Sequence, residues 1–362
     1  MCNSSITAAI RGILLLAAFV ASISTPPGVA AAPAPGSVPD RASRRLSDIS
    51  TRHPRLDGDF YGWLSNDAFL LARTDRDHPR GVLFRRELAS GRETPLPALT
   101  ALYNQADGGS ILRISPDGQW VLWWTGKIHD VGIHGARLDG SAHFQVPKAK
   151  AEWDNLYLFW LADSRRFVEL AMPVKNKFTR ALVRSVEKPQ VAETLPITDA
   201  SPFQSVCAIA GRDIALASGD RLIALPCALN GYGPIESNPT IGMTAILNPK
   251  IGADQTLPFD LPGKANTFCG VALSARSDRI GWIVAELPQE GETRVALCVS
   301  RLDGSHWAEI GFEQTAKPDT GFGDHLEKFM SESPGTMQWL PDGKSLSFFY
   351  KGDLYTVPAP AE

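Results

Sequence analysis

The chain lacks most of the signatures that announce a chemistry. No CxxC pair and no Cys/His ligand spacing occurs, so neither a zinc site nor a thiol redox motif is expected. There is no G-x-S-x-G elbow to raise a serine nucleophile, and no Walker or dinucleotide glycine motif to cradle a phosphate. No cofactor is therefore expected. Lys and Arg number 36 against 39 Asp and Glu, a formal net charge of -3, and the basic residues do not cluster. That leaves no electrostatic footprint for a nucleic acid or an anionic membrane. No apolar run reaches the ~20 residues that span a bilayer as a helix.

What the N-terminus does have is a short apolar run. Arg11 precedes "GILLLAAFVASI", and "VAAAPAPG" places Ala30 and Ala32 in an A-x-A arrangement. Residues 1–32 read as a cleavable secretory signal, which makes the mature chain periplasmic or secreted, with no transmembrane segment after cleavage. Residues 33–55, rich in Pro, Ser and Arg, read as a disordered linker, and 56–360 as the folded domain. Cleavage removes Cys2 and leaves Cys207, Cys227, Cys269 and Cys298 in an oxidising compartment. They have either disulfide pairing, in one of three connectivities, or burial as free thiols open to them.

Aligned against itself, the chain repeats. "ISPDGQWVLWW" from Ile114 matches "WLPDGKSLSFF" from Trp339, and weaker copies start at Trp63, Trp160 and Leu273. Pro presets φ for the second position of a type I turn, Asp tolerates the third, and Gly supplies the left-handed residue that ends a short hairpin. A second hairpin follows in "GARLDGSAHFQVP" and "VSRLDGSHWAEIG", with looser versions in "LFRRELASGRETPLP" and "ALVRSVEKPQVAETLP". The unit is four short antiparallel strands, and starts near Trp63, Ile114, Trp160, Ile209, Leu273 and Trp339 give six of them. An all-β, six-bladed propeller of four-stranded antiparallel blades is predicted. Seven blades remain an alternative, because Asn230–Thr267 is long enough to hold extra strands. The last unit lacks its outermost strand, which the segment around Leu56–Phe60 is expected to supply, closing the ring.

The "SPDGQWVLW" and "LPDGKSLSF" units, each followed by an "LDGS"-type turn or its remnant, resemble the WD40-like (PD40) repeats of the TolB-type propeller superfamily. The resemblance covers roughly Asp57–Pro358. It implies a secreted or periplasmic propeller that binds proteins or glycans, some members carrying an enzyme site at the channel mouth.

The candidate residues are few. His129 and His134, in "HDVGIH", fall in the loop between the two hairpins of one unit, where two imidazoles and Asp130 form a weak metal candidate. Trp63, Trp160 and Trp339 share one slot of the repeat and are expected to pack blade on blade. Trp120 and Trp153 have no repeated slot and are candidate ligand platforms. Asp117 and Asp342 are read as turn residues and not as an acid/base pair. The longest departures from the repeat begin at Asn230 and at Glu313; the second carries a predicted helical turn, "DHLEKFMSE", with His325 as a further binding candidate. Two function classes follow. One is a non-enzymatic scaffold for a protein or peptide partner, or for a glycan; the other is a lyase or hydrolase acting on a polysaccharide or small metabolite at the channel mouth.

Overall fold

In the computed structural model, described residues are 44–78, 80–105, 112–125, 130–150, 153–173, 180–196, 214–217, 221–224, 240–245, 255–258, 267–274, 279–286, 291–301, 305–315 and 335–361. A short helix, α1 (Leu46–Ile49), and a two-residue strand, β1 (Thr51–Arg52), come first. Blade 1 is β2 (Asp59–Ser65), β3 (Ala68–Arg73), β4 (Val82–Glu87) and β5 (Glu93–Pro95), followed by helix α2 (Pro97–Gln105). Blade 2 is β6 (Arg113–Ile114), β7 (Trp120–Thr125), β8 (Asp130–Arg137) and β9 (His143–Lys150). Blade 3 is β10 (Trp153–Trp160), β11 (Arg166–Pro173), β12 (Arg180–Ser185) and β13 (Ala192–Pro196). Blade 4 is β14 (Ile214–Ala217), β15 (Arg221–Ala224), β16 (Thr240–Ala245) and β17 (Gln255–Pro258). Blade 5 is β18 (Thr267–Leu273), β19 (Arg279–Glu286), β20 (Thr293–Arg301) and β21 (Ala308–Thr315). Blade 6 is β22 (Gly335–Trp339), β23 (Ser345–Tyr350) and β24 (Asp353–Pro358), completed by β1.

Six four-stranded antiparallel sheets are thus described, each in meander order. The region weighed as room for a seventh, Asn230–Thr267, supplies the two outer strands of blade 4 and the start of blade 5. The first strands of successive blades touch in chain order from β2 through β6, β10, β14 and β18 to β22. The turns follow the predicted chemistry: Gly118 and Gly343 sit at φ 69 and 68°, and each amide closes on the residue three back, Ser115 O and Leu340 O, at 2.8 and 2.9 Å. Gly118 also abuts the neighbouring blade so closely that a Cβ there would lie 1.8 Å from Leu64 O.

The ring closes differently from the expectation. Asp59–Ser65 is the innermost strand of blade 1, so the residues around Leu56–Phe60 are not the closing strand. Closure comes from β1, whose Thr51 and Arg52 pair with Thr356 and Tyr355. The stretch read as linker through Arg55 is therefore structured from Arg44 onward. Leu46 is fully buried in a cluster shared by blades 5 and 6, Arg45 bridges Phe312, and the Ser47 amide donates to Glu313 Oε1 at 2.7 Å. Two strand residues, both exposed, show no apolar alternation, and for that reason the sequence did not reveal them.

The α2 helix was also unforeseen. It buries Leu99, Thr100 and Tyr103 against blades 1 and 2, and the Thr100 hydroxyl accepts the Leu83 amide at 3.0 Å. That amide lies beyond the reach of β5, which pairs only with Phe84–Arg86, so the helix covers an edge that a longer strand would otherwise pair. Cys298 is a free, buried thiol; Cys207 and Cys227 lie outside the described residues, as does the side chain of Cys269. Burial pushes the Cys298 thiol up, so it remains protonated.

Candidate binding site on the channel wall

A propeller leaves one edge of every innermost strand facing the central channel, and the backbone groups there need partners. Here the repeated tryptophan provides them. Trp160 of blade 3 donates its indole N–H to Arg113 O of blade 2 at 2.8 Å, and Trp339 of blade 6 donates to Ala272 O of blade 5 at 3.0 Å. Trp63 of blade 1 reaches the equivalent carbonyl through a hydroxyl: it donates to Ser347 Oγ at 2.8 Å, and Ser347 Oγ donates to Gln338 O of blade 6 at 3.2 Å. All three indoles are buried, as the shared repeat slot predicted.

The three acceptors, Arg113, Ala272 and Gln338, share their place in the repeat with Gly62 and Phe159. Gly62, Arg113, Phe159, Ala272 and Gln338 each directly precede the tryptophan slot, filled by Trp63, Ile114, Trp160, Leu273 and Trp339. All five lie on the innermost strands of their blades, and Gly62 stands beside Ile114 and Gln338. Leu112 and Ile114 pack on the cluster between blades 1 and 2, so strand alternation turns Arg113 to the opposite face, the one that carries its cross-strand neighbour Leu122 toward blade 3. Burial pulls the Arg113 guanidinium below its ordinary pKa, with no charged partner acting on it. Gly62, with φ 149° at a bulge in β2, leaves room for its neighbours: a Cβ there would stand 3.3 Å from Gln338 Oε1 and 3.2 Å from Ile114 Cδ1. Neither the Arg113 guanidinium nor the Gln338 amide has a hydrogen bond or ion pair among the described residues.

The first turn of the repeat binds blade to blade. Asp117 N donates to Ser164 Oγ of blade 3, and Asp342 N to Asn66 Oδ1 of blade 1, both at 3.0 Å. Asp117 Oδ1 accepts from the Ser115 hydroxyl and the Gln119 amide, while Asp342 Oδ1 accepts from the Lys344 amide. Their carboxylates serve the turns, as expected.

The other sequence candidates fare unevenly. His134 does not lie in a loop: β8 begins at Asp130, and His134 pairs with Trp123 and Gln145. Its ring stacks on Trp123 at 5.4 Å and its Nε2 is 3.2 Å from Thr125 Oγ1. The strand register, which runs Trp123↔His134 through Thr125↔Gly132 on one side and pairs Asp130 with Lys150 and Val131 with Ala149 on the other, absorbs all of "HDVGIH" except His129. His129 and His325 lie outside the described residues. No cluster of three or more His, Cys, Asp or Glu that could hold a metal occurs among the described residues. Trp120 lies beside Phe144 at 6.1 Å with Arg137 over its ring, a position on the core between blades 2 and 3. Trp153 opens β10 opposite Pro173, and its side chain is outside the description. Sequence reading missed Arg113 because an arginine in "ILRIS" carries no motif; its signal lies in comparing the copies, where the same position holds Gly, Phe, Ala and Gln.

No protein-family model matches the chain, and no curated protein sequence matches it. Solved structures do resemble it. TolB from Acinetobacter baumannii superposes with a TM-score of 0.42 at 13% identity, over 73% of this chain and 56% of that one. The chain therefore spans little more than half the length of that relative. The putative TolB from Agrobacterium tumefaciens gives 0.44 at 13% identity, over 85% and 92% of the two chains. The oligogalacturonate lyase from Vibrio parahaemolyticus gives 0.45 at 12% identity, over 86% and 91%. The six meander sheets and their order make the chain a β-propeller, and TolB structures are among the solved folds it resembles.

Proposed function

We propose that the protein is an exported, non-enzymatic scaffold that binds a protein or peptide partner at the channel face of its propeller. The observation that carries this reading is the inner tier, where the backbone carbonyls of Arg113, Ala272 and Gln338 are held by indole hydrogen bonds from the next blade, directly or through Ser347. A wall whose backbone is fixed in this way needs little reordering when a ligand arrives. Export is part of the proposal and rests on Arg11, the apolar run after it, and the small residues around Ala30 and Ala32. No helix among the described residues is long and apolar enough to cross a membrane.

The insertion that begins after Thr315, where β21 ends, is the second element offered to a partner; it spans residues 316–334. The test is crosslinking in cells, identification of the partner in the periplasmic fraction, and titration of the purified pair. The expected result is saturable binding, weakened by Arg113→Met or by deletion of 316–334. Turnover of an added oligosaccharide or metabolite, abolished by Arg113→Met, would replace the scaffold reading with an enzyme.

A further inference from the structure

We propose that residues 44–52 are a displaceable strap, an intramolecular stand-in for a ligand, seated in a peptide-binding groove on the outer rim of blades 5 and 6. The groove's partner is an extended peptide that offers an arginine and then a leucine. This site lies on the outer strands, away from the innermost ones, and goes beyond the channel-face reading above.

The groove is shaped around the segment it holds. Gly311, in the outermost strand of blade 5, forms its floor: a Cβ there would lie 3.0 Å from Ile49 Cδ1, 3.1 Å from Leu46 Cδ2 and 3.2 Å from Arg44 O. Beside it the Phe312 amide donates to Arg44 O at 3.3 Å, within a parallel bridge that holds main chain whatever its sequence. Side chains supply the selection. Leu46, fully buried, joins the apolar cluster shared by blades 5 and 6. The Arg45 guanidinium stands 5.2 Å from the centre of the Phe312 ring and 3.7 Å from the Glu313 carboxylate, and it donates to Gln314 Oε1. Glu313 is 4% exposed, accepts the Ser47 amide at 2.7 Å and hydrogen-bonds Tyr350 of blade 6. A buried carboxylate is thus placed where the segment's cation and N–H arrive, and both contacts are charge-assisted.

The resident segment fills this groove imperfectly. Its strand β1 makes two ladder pairs with β24, whereas β24 pairs along its whole length with β23. Its helix is a single turn, and Arg52 holds Asp353 with a side chain that is 67% exposed. The Ser50 hydroxyl is buried without a hydrogen-bond partner among the described residues, a penalty that a better ligand avoids. Pro54 and Arg55, both exposed, give the chain a place to swing, while Leu56 stays packed between blades 6 and 1. Release of the strap therefore leaves the other strand pairings of the ring in place, and such a local opening costs less than global unfolding.

The experiment uses the whole purified chain and a fluorescent synthetic peptide of residues 44–53, with binding followed by anisotropy. Wild type is expected to bind the peptide weakly, because its own strap competes. Leu46→Ala in the chain loosens the strap and is expected to tighten binding by about tenfold or more, since apparent affinity scales with the fraction of chains whose groove is open. Arg45→Ala, at a partly exposed residue, is expected to act in the same direction with a smaller gain; it serves as the reading should Leu46→Ala fail to fold. Adding Glu313→Gln to Leu46→Ala is expected to remove much of the gain, and so is placing Leu46→Asp in the peptide. A peptide carrying Ser50→Ala is expected to bind about fivefold tighter than the unaltered one, because it buries no orphan hydroxyl. Folded variants that bind no better than wild type overturn the proposal, and so does a Leu46→Asp peptide that binds as well as the original. A wild-type chain that forms dimers dissolved by the peptide assigns the groove to a second copy and overturns the partner reading.

Discussion

The Trp160 indole of blade 3 donates to the Arg113 carbonyl of blade 2 at 2.8 Å, across an edge where the described sheet has no fifth strand to accept or donate. The same carbonyl position is reached by Trp339 and, through Ser347, by Trp63. One side chain thus fills the inter-blade core with its ring and satisfies an orphan backbone acceptor with its nitrogen.

Trp160→Phe should therefore cost more than the smaller ring alone explains. The change leaves Arg113 O without its donor, a loss of about 1–3 kcal/mol for a buried group, added to a packing loss of order 1 kcal/mol. Urea unfolding of Trp160→Phe and Trp339→Phe measures it. Equal stability of either variant with wild type would mean that water replaces the indole.

Gly118→Ala should be far worse than Gly91→Ala. Both glycines have positive φ, 69 and 66°, so both pay about 1 kcal/mol for the left-handed backbone. Only at Gly118 does the new Cβ meet backbone, 1.8 Å from Leu64 O of the adjacent blade; at Gly91 the nearest atom is Arg86 Nη2 at 3.8 Å. The pair of unfolding midpoints should differ by several degrees, with the larger drop at Gly118.

Leu46→Ala should loosen the ring closure from a distance. Leu46 is fully buried, and its truncation is expected to cost about 2–4 kcal/mol. Because it anchors the segment that supplies β1, the amides of β24 around Tyr355 and Thr356 should exchange faster, while those of blade 3 keep their rates. Hydrogen exchange read by mass spectrometry separates the two regions.

Acid should weaken the same closure through His53. Burial holds the His53 imidazole below its ordinary value of 6.5, beside Thr356 Oγ1 at 2.9 Å. In the window between the folded value and 6.5 the unfolded chain binds the proton and the folded chain does not, so stability falls as the pH falls through it. Unfolding free energies of wild type and His53→Gln, measured from pH 7.5 to 5.5, should diverge in slope, with the variant the flatter of the two. Parallel slopes would remove His53 from the account.

Legibility followed the length of the pattern. "SPDGQW" and "LPDGKS" gave their turns correctly because Pro, Asp and Gly each have a local reason to be there, and Trp63, Trp160 and Trp339 declared their packing role by recurring. "HDVGIH" misled because Gly132 and His134 interrupt the apolar alternation of a strand; the partner strand, through Trp123↔His134, decided its conformation. Thr51–Arg52 and Pro97–Gln105 were missed for a related reason: each borrows its stability from a neighbouring sheet edge and shows little of its own.

By itself, then, the sequence determined the repeating unit, its turns and the count of six starts, since these rest on residue chemistry within about ten positions of one another. Only the tertiary structure decided which segment closes the ring and that Gly62, Ile114 and Gln338, from three blades, meet. Those residues are separated by long stretches of chain and carry no common motif. Their proximity is a property of the closed ring of blades, and no local pattern encodes it.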